Sequence, residues 1–337
     1  MMRTDRFDYQ LPPERIAQEP EAVRDRALLL VDRGADHAPL HRRVSDLPGH
    51  LGTGDLVVVN DTRVRHARLA LRKPTGGAAE VLLLRPLGDD RWEALIGANR
   101  RVEPGVVLTS DTDATLAVEV LDDLGEGRRM VRIEGLGSDP EARLEAVGAL
   151  PLPPYITGPV TDDQRYQTIY ARHPGSAAAP TAGLHLTPDV LDRIVEAGAT
   201  VAAVQLDVGL ATFRPIATDD VADHTMHIER YRIAPTVWEQ VGRARRVVAI
   251  GTTTVRALES AAATGVLEGD SSLFITPGFD WQVVEVMMTN FHLPRSSLLV
   301  LIEAFVGPRW RDLYAEALHR DYRFLSFGDA MLLERAP

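Results

Sequence analysis

The sequence predicts an α/β protein that also carries a small all-β unit, a barrel or a sandwich. Two observations carry that reading. Short β-rich runs separated by glycine turns fill the stretch from about Arg63 to Ala149. After Tyr155 the rhythm changes to strand, turn and helix in alternation, the pattern of an α/β sheet with its site at the strand ends. The proline-rich Leu150-Pro151-Leu152-Pro153-Pro154-Tyr155 is the stiff, extended exit from one pattern to the other.

Taken in order, a mixed polar and apolar segment, Phe7 to Pro20, precedes the apolar run Leu56 to Val59. That run stops at Asn60-Asp61-Thr62-Arg63, a polar turn at a strand end. Strands are expected at Glu80 to Leu84, Trp92 to Ile96, Thr115 to Val120 and Met130 to Ile133, with turns at Gly76-Gly77, Gly88-Asp89-Asp90 and Pro104-Gly105. Thr187-Pro188 forms an N-cap and first-position pair for a helix running to Ala197, stopped by Gly198. Thr200 to Leu206 and Val247 to Ile250 read as strands, and Val255 to Ala263 as a helix ended by Gly265.

The chain of 337 residues is long enough for two domains, and 45% apolar with 25% charged residues is an ordinary globular balance. With no cysteine, disulfides, thiolate metal sites and cysteine nucleophiles are excluded. The start, with Arg3, Asp5, Arg6 and Asp8, has no apolar core, and the longest apolar runs are too short for a bilayer. A cytoplasmic protein without a membrane partner is expected. The net charge of −11 argues against coating nucleic acid by charge alone. One local patch remains. Arg63, Arg65, Arg68, Arg72 and Lys73 lie in a stretch, Thr62 to Ala79, that contains no acid. It is either a polyanion contact or a solvated strand edge.

Several clusters could carry chemistry. Gly251-Thr252-Thr253-Thr254-Val255-Arg256 follows a strand and opens a helix, placing free N–H groups and hydroxyls where a carboxylate binds well. Arg256 and Glu259 are expected on one helical face. No dinucleotide or Walker glycine spacing is present. Pro180-Thr181-Ala182-Gly183-Leu184-His185 puts a histidine at a turn, either a proton shuttle or a plain loop residue. His224, His227 and Glu229 imitate metal ligands, but their spacing matches no zinc signature, so no metal is expected. Thr289-Asn290-Phe291-His292-Leu293-Pro294 is a polar break between apolar runs, and Asp329 follows a glycine after the aromatic-rich Tyr322 to Phe327.

Read together and in order, these segments resemble the queuosine-pathway S-adenosylmethionine:tRNA ribosyltransferase-isomerases. The resemblance rests on Phe7-Asp8-Tyr9, Asn60-Asp61-Thr62-Arg63-Val64, Leu152-Pro153-Pro154-Tyr155-Ile156, Tyr166-Gln167-Thr168, Ala179 to His185, Met226-His227 with Glu229, Gly251-Thr252-Thr253, Thr289 to Pro294 and Phe327 to Met331. It runs from about residue 5 to residue 333. It implies an α/β main domain, residues 1–62 and 151–337, with a small β-barrel inserted at 63–150. It also implies the reaction: S-adenosylmethionine donates its ribosyl group to 7-aminomethyl-7-deazaguanine at the wobble position of a tRNA with a GUN anticodon. Epoxyqueuosine, adenine and methionine result. S-adenosylmethionine is then a co-substrate, and no cofactor is expected.

That chemistry needs a base at the acidified C5′ position, an acid for adenine and a clamp for the methionyl carboxylate. His185, His227 and His292 are the acid–base candidates, and Thr252, Thr253 and Arg256 the carboxylate site. Asn60, Thr62, Arg63, Thr181, Glu229, Asn290 and Asp329 are candidate substrate contacts. Arg65, Arg68, Arg72 and Lys73 are candidate tRNA contacts, and the chain is expected to act as a monomer. Several positions depart from the family pattern, among them Arg65-His66 in place of an Ile-Pro pair. Asp207 stands where a histidine is usual and joins the catalytic candidates, Ala211 replaces a glycine, and Thr276 replaces a tyrosine. An alternative is a paralogue that uses S-adenosylmethionine on a small-molecule acceptor other than tRNA.

Overall fold

The computed structural model describes residues 2–98, 102–125, 127–158, 162–209 and 215–336. The chain divides into two compact units. One comprises Met1–Thr62, Pro153–His173 and Ala179–Pro337, the other Arg63–Leu152 with Pro174–Ala178. An α/β main unit and a closed β-barrel are therefore both present.

The main unit is built on a nine-stranded sheet. Its order is Glu268–Ser271, Glu229–Arg232, Thr200–Leu206, Asp55–Asn60, Arg246–Ile250, Val286–Asn290, Ala330–Glu334, Leu28–Asp32 and Leu40–Arg43. The four strands from Thr200–Leu206 to Val286–Asn290 run parallel to one another. Both faces of such strands are covered, so they read as continuous apolar runs rather than alternating ones. Asp55–Asn60 and Val286–Asn290 are buried at every position. One face packs Val57, Val59, Val248, Ile250, Val286 and Met288 against Val190 and Ile194 of the helix Pro188–Glu196. That helix has the expected cap: Thr187 Oγ1 accepts the Val190 N–H at 3.3 Å, and Gly198 follows at φ +88°. The helix Ser297–Val306 is nearly all apolar and nearly all buried, capped by Ser296. Among the described residues, no helix is long and apolar enough to cross a membrane.

The inserted unit is a closed antiparallel barrel of Arg128–Glu134, Arg91–Ala98, Ala78–Gly88, Arg68–Arg72, Val107–Thr109 and Ala117–Gly125. Closure removes the free sheet edges that invite aggregation. Period-two alternation sends Leu69, Leu71, Val81, Leu83, Val118, Val120, Val131 and Ile133 inward.

The arginines of the acid-free stretch have acidic partners that the local sequence does not show. Arg63 bonds Glu145 at 2.7 Å, Arg65 bonds Glu141 at 2.5 Å, Arg68 meets Glu80 at 3.5 Å, and Arg72 pairs with Asp111. Arg65 is only 7% exposed and stacks 5.0 Å over the Trp92 ring. Glu80 lies on a neighbouring strand, Asp111 in the loop after Val107–Thr109, and Glu141 and Glu145 on the helix Pro140–Val147. Lys73 sits in the tight turn closed by its own N–H to Gly77 O at 2.8 Å. Arg65→Ala should lower barrel stability by about 1–3 kcal/mol through lost stacking and a lost forked ion pair. Arg65→Lys should restore little of it, because an ammonium lacks the planar fork. Thermal melting of the two variants reads both effects.

Candidate active site

Parallel strands deliver their carboxyl ends to one place, which is where open α/β sheets bind ligands. Here the carboxyl ends of four parallel strands, at Asn60, Leu206, Ile250 and Asn290, fall along one edge of the sheet. They frame a recess of about 590 Å3 in the main unit. Its walls include Thr181, Gly251, Thr252, Thr253, Asn290 and His292, with Val208, Phe291, Leu293, Leu298 and Leu325 supplying apolar surface.

Gly251 makes the sharp passage from the strand Arg246–Ile250 into the helix Thr252–Thr264. It holds φ +93° and ψ 148°, a conformation open to glycine and closed to side chains with a Cβ. No side chain caps this helix. The first-turn N–H groups of Thr252, Thr253 and Thr254 therefore have no intrahelical acceptor. Together with the helix dipole they make the rim of the recess attractive to an anion.

Asn290 is held in one orientation from three sides. Thr181 Oγ1 donates to its Oδ1 at 2.9 Å, while its Nδ2 faces His185 Nε2 at 3.1 Å and Asp329 O at 3.4 Å. The same imidazole donates to the Arg24 backbone carbonyl, so its Nε2 is left as acceptor for Asn290. Burial, and then the Arg323 charge, push His185 down to about 4. His185 thus stands behind the recess wall as a neutral, doubly bonded ring. His292 lines the recess itself. Burial pushes it down to about 3, its Nε2 meets Thr289 Oγ1 at 3.1 Å, and its backbone N–H donates to Tyr314 Oη at 3.0 Å.

The remaining candidates are placed as follows. Asn60 clamps two strand ends, with Nδ2 donating to Leu206 O at 2.9 Å and Oδ1 accepting Leu206 N–H at 3.1 Å. Asp207 accepts from Thr62 Oγ1 and from Gln205 Nε2, both at 3.2 Å. It adjoins Val208 on the recess wall. Asp329 spends both oxygens on backbone, accepting Leu28 N–H and Arg323 N–H at 2.7 Å each. It holds a turn, since a buried carboxylate needs such donors. Arg256 does not line the recess. It forms a buried ion pair with Glu229, which also accepts the Gly209 N–H at 2.9 Å. Nor does Arg256 meet Glu259, whose carboxylate accepts the N–H groups of Gln282, Val283 and Val284. His227 is exposed, in the irregular segment ahead of the strand Glu229–Arg232, and outside the recess lining. Arg63 belongs to the barrel unit. Thr276 closes a turn through its carbonyl, accepting from Phe279 N–H at 3.0 Å. Ala211 lies outside the described residues.

The recess also contains groups that were not among the candidate site residues. Tyr155 Oη and Ser326 Oγ bond each other at 2.7 Å across its wall, and Thr289 holds His292. The proline-rich run ending at Tyr155 was the available signal, because a half-buried tyrosine hydroxyl needs a partner.

An amide, hydroxyls, a neutral imidazole and an uncapped helix end, converging at the carboxyl ends of parallel strands, define the class: an α/β enzyme. The family follows from the chain as a whole. Residues 4–333 match the family of queuosine biosynthesis proteins, and the chain belongs to that family. It is 48% identical over 333 residues to the S-adenosylmethionine:tRNA ribosyltransferase-isomerase of Rubrobacter xylanophilus, covering 98% of each chain. With the enzyme of the same name from Thermus thermophilus it shares 48% identity over 343 residues, covering 97% of this chain and 98% of that one. The crystal structure of the S-adenosylmethionine tRNA ribosyltransferase of Thermotoga maritima is similar in fold, with a TM-score of 0.56 and 33% identity. That match covers 97% of this chain and 99% of the other.

Proposed function

We propose that this protein is an S-adenosylmethionine:tRNA ribosyltransferase-isomerase. It moves the ribosyl group of S-adenosylmethionine onto 7-aminomethyl-7-deazaguanine at the tRNA wobble position, giving epoxyqueuosine, adenine and methionine. S-adenosylmethionine is consumed as a co-substrate. The observation that carries this reading is the pairing, in one recess, of an uncapped helix end with an apolar wall and a neutral imidazole. The methionyl carboxylate is seated on the N–H groups of Thr252 to Thr254 and the hydroxyls of Thr252 and Thr253. Phe291, Leu293, Leu298 and Leu325 exclude water from the reacting ribose. His292 stays uncharged, the state compatible with a neighbouring sulfonium, and Asn290 presents a fixed amide. The departures at Asp207 and Thr276 leave this set of groups intact, since neither lines the recess.

Incubation with S-adenosylmethionine should release adenine and methionine in equal amounts only when tRNA carrying the aminomethyl base is added. Release with the free base alone would show a small-molecule acceptor instead, and no release in either case would refute an enzyme of this class. Thr253→Val, which keeps the shape and removes the hydroxyl, should raise the KM for S-adenosylmethionine about 2- to 10-fold, with kcat less affected.

A further inference from the structure

On the far side of Ser326 from the candidate active site lies a second, smaller hollow of about 250 Å3, walled by Glu21, Arg24, Arg165, His185, Ser326 and Phe327. Ser326 lines both recesses, so the two adjoin. The charge in the hollow is uneven. Arg24 donates to Leu184 O at 2.9 Å and Gln164 O at 2.7 Å, and Arg165 donates to Ala22 O at 3.2 Å and to Glu21 O. These acceptors are backbone carbonyls, which fix the guanidinium groups without neutralising them. Arg165 Nε is buried with no acceptor. Glu21, the acid in the wall, is already paired with Arg323 at 2.8 Å, and Asp162 attracts Arg24 from outside the lining. The two arginines repel each other, and Arg323 and Arg24 disfavour charge on His185 between them. Guanidiniums fixed by backbone carbonyls and left without a neutralising carboxylate suit a phosphate.

We infer that this hollow seats a backbone phosphate of the nucleic-acid substrate, one that flanks the nucleotide entering the active site. The inference rests on the tRNA reading above. It moves the principal anchoring contact from the barrel arginines, which are paired, to Arg24 and Arg165, which are not paired with a carboxylate among the described residues. A phosphate here and a base beyond Ser326 would belong to adjacent parts of one strand. The methionyl carboxylate has its own donors at Thr252 to Thr254 and does not need this site.

The test uses the full-length protein and an anticodon stem-loop bearing the aminomethyl base. Arg165→Gln and Arg24→Gln should each weaken binding about tenfold or more and make the salt dependence shallower by about 0.7 per contact, the single-strand value. A methylphosphonate, which is uncharged, at a phosphate flanking the wobble nucleotide should weaken binding to the unaltered protein by a similar factor. On Arg165→Gln the same replacement should add nothing. Independent, additive losses would overturn the inference. So would unchanged stem-loop affinity with a raised KM for S-adenosylmethionine, which would assign the hollow to the co-substrate carboxylate. If Arg24→Gln fails to fold, the methylphosphonate arm decides alone, and insensitivity at both flanking phosphates refutes the site. Phosphate-sensitive binding without adenine release would sink the proposed reaction and keep the hollow. Normal turnover without that sensitivity would do the reverse.

Discussion

Glu229→Ala is expected to destabilise the main unit by about 3–5 kcal/mol, the cost of leaving a buried guanidinium without its carboxylate. Arg256 is 4% exposed, and its Nη2 already has no acceptor. Removing Glu229 strands Nη1 as well, leaving only the Nε bond to Leu273 O at 3.3 Å, and also frees the Gly209 N–H at the end of the described segment that carries Asp207 and Val208. Against a total stability of about 5–15 kcal/mol, that loss is large. Urea unfolding followed by tryptophan fluorescence would show it as a lower midpoint. Replacing both partners with apolar residues, Glu229→Leu with Arg256→Met, should recover most of the loss, because no charge is then left buried. A single-variant loss below about 1 kcal/mol would refute the assignment of the pair as a structural strut.

The second large effect concerns His185. If its service is to fix Asn290 through an accepting Nε2, His185→Ala should slow adenine release about 100-fold by letting the amide turn. His185→Gln puts an amide oxygen near the same position and should keep most of the activity. A general acid or base at this position would behave differently, because glutamine cannot exchange a proton, and both variants would then lose about 10²- to 10⁴-fold. The same ring makes the fold sensitive to acid. Folded His185 titrates near 4, below the usual unfolded value of about 6.5, so between those limits the unfolded chain binds more protons. The stability linked to its neutral form is present above about pH 6.5 and is lost as pH falls through 4, by on the order of 3 kcal/mol at the limit. His292, near 3, extends the loss to lower pH. Melting temperatures should fall across this window, and less steeply in His185→Gln.

Much of the fold could be read because its signals are local. Thr187, Pro188 and Gly198 mark their helix with groups a few positions apart, and period-two alternation exposes the barrel strands. The strands Leu28–Asp32 and Ala330–Glu334 escaped. They pair with each other across the whole chain and are buried on both faces, so neither shows alternation. The site divides in the same way. Thr181, Thr252, Thr253, Asn290 and His292 stand at breaks in apolar runs and do line the recess. Asp329 stands at a similar break but turns inward to backbone N–H groups, which sequence cannot distinguish from facing a ligand. The arginines from 63 to 72 look unopposed because their acids lie 12 to 82 positions away. Partners at that range become visible only when strands are paired.

The parallel pairing of Asp55–Asn60 also has a consequence for synthesis of the chain. Both of its neighbours, Thr200–Leu206 and Arg246–Ile250, lie downstream. At ribosomal speeds of about 5–20 residues per second, the nearer one emerges roughly 7–30 s later. For that interval a nascent chain carries a strand with an apolar centre, Leu56 to Val59, and neither edge paired. The barrel hairpins that follow it are local and can close within the same interval, since hairpins form in about 1–10 μs. The insertion therefore folds while its host is still unfinished, and the recess at the strand ends is among the last features to appear. Chaperone demand should peak while residues 60 to 200 are being made, which makes truncation within that window the most aggregation-prone form of this protein.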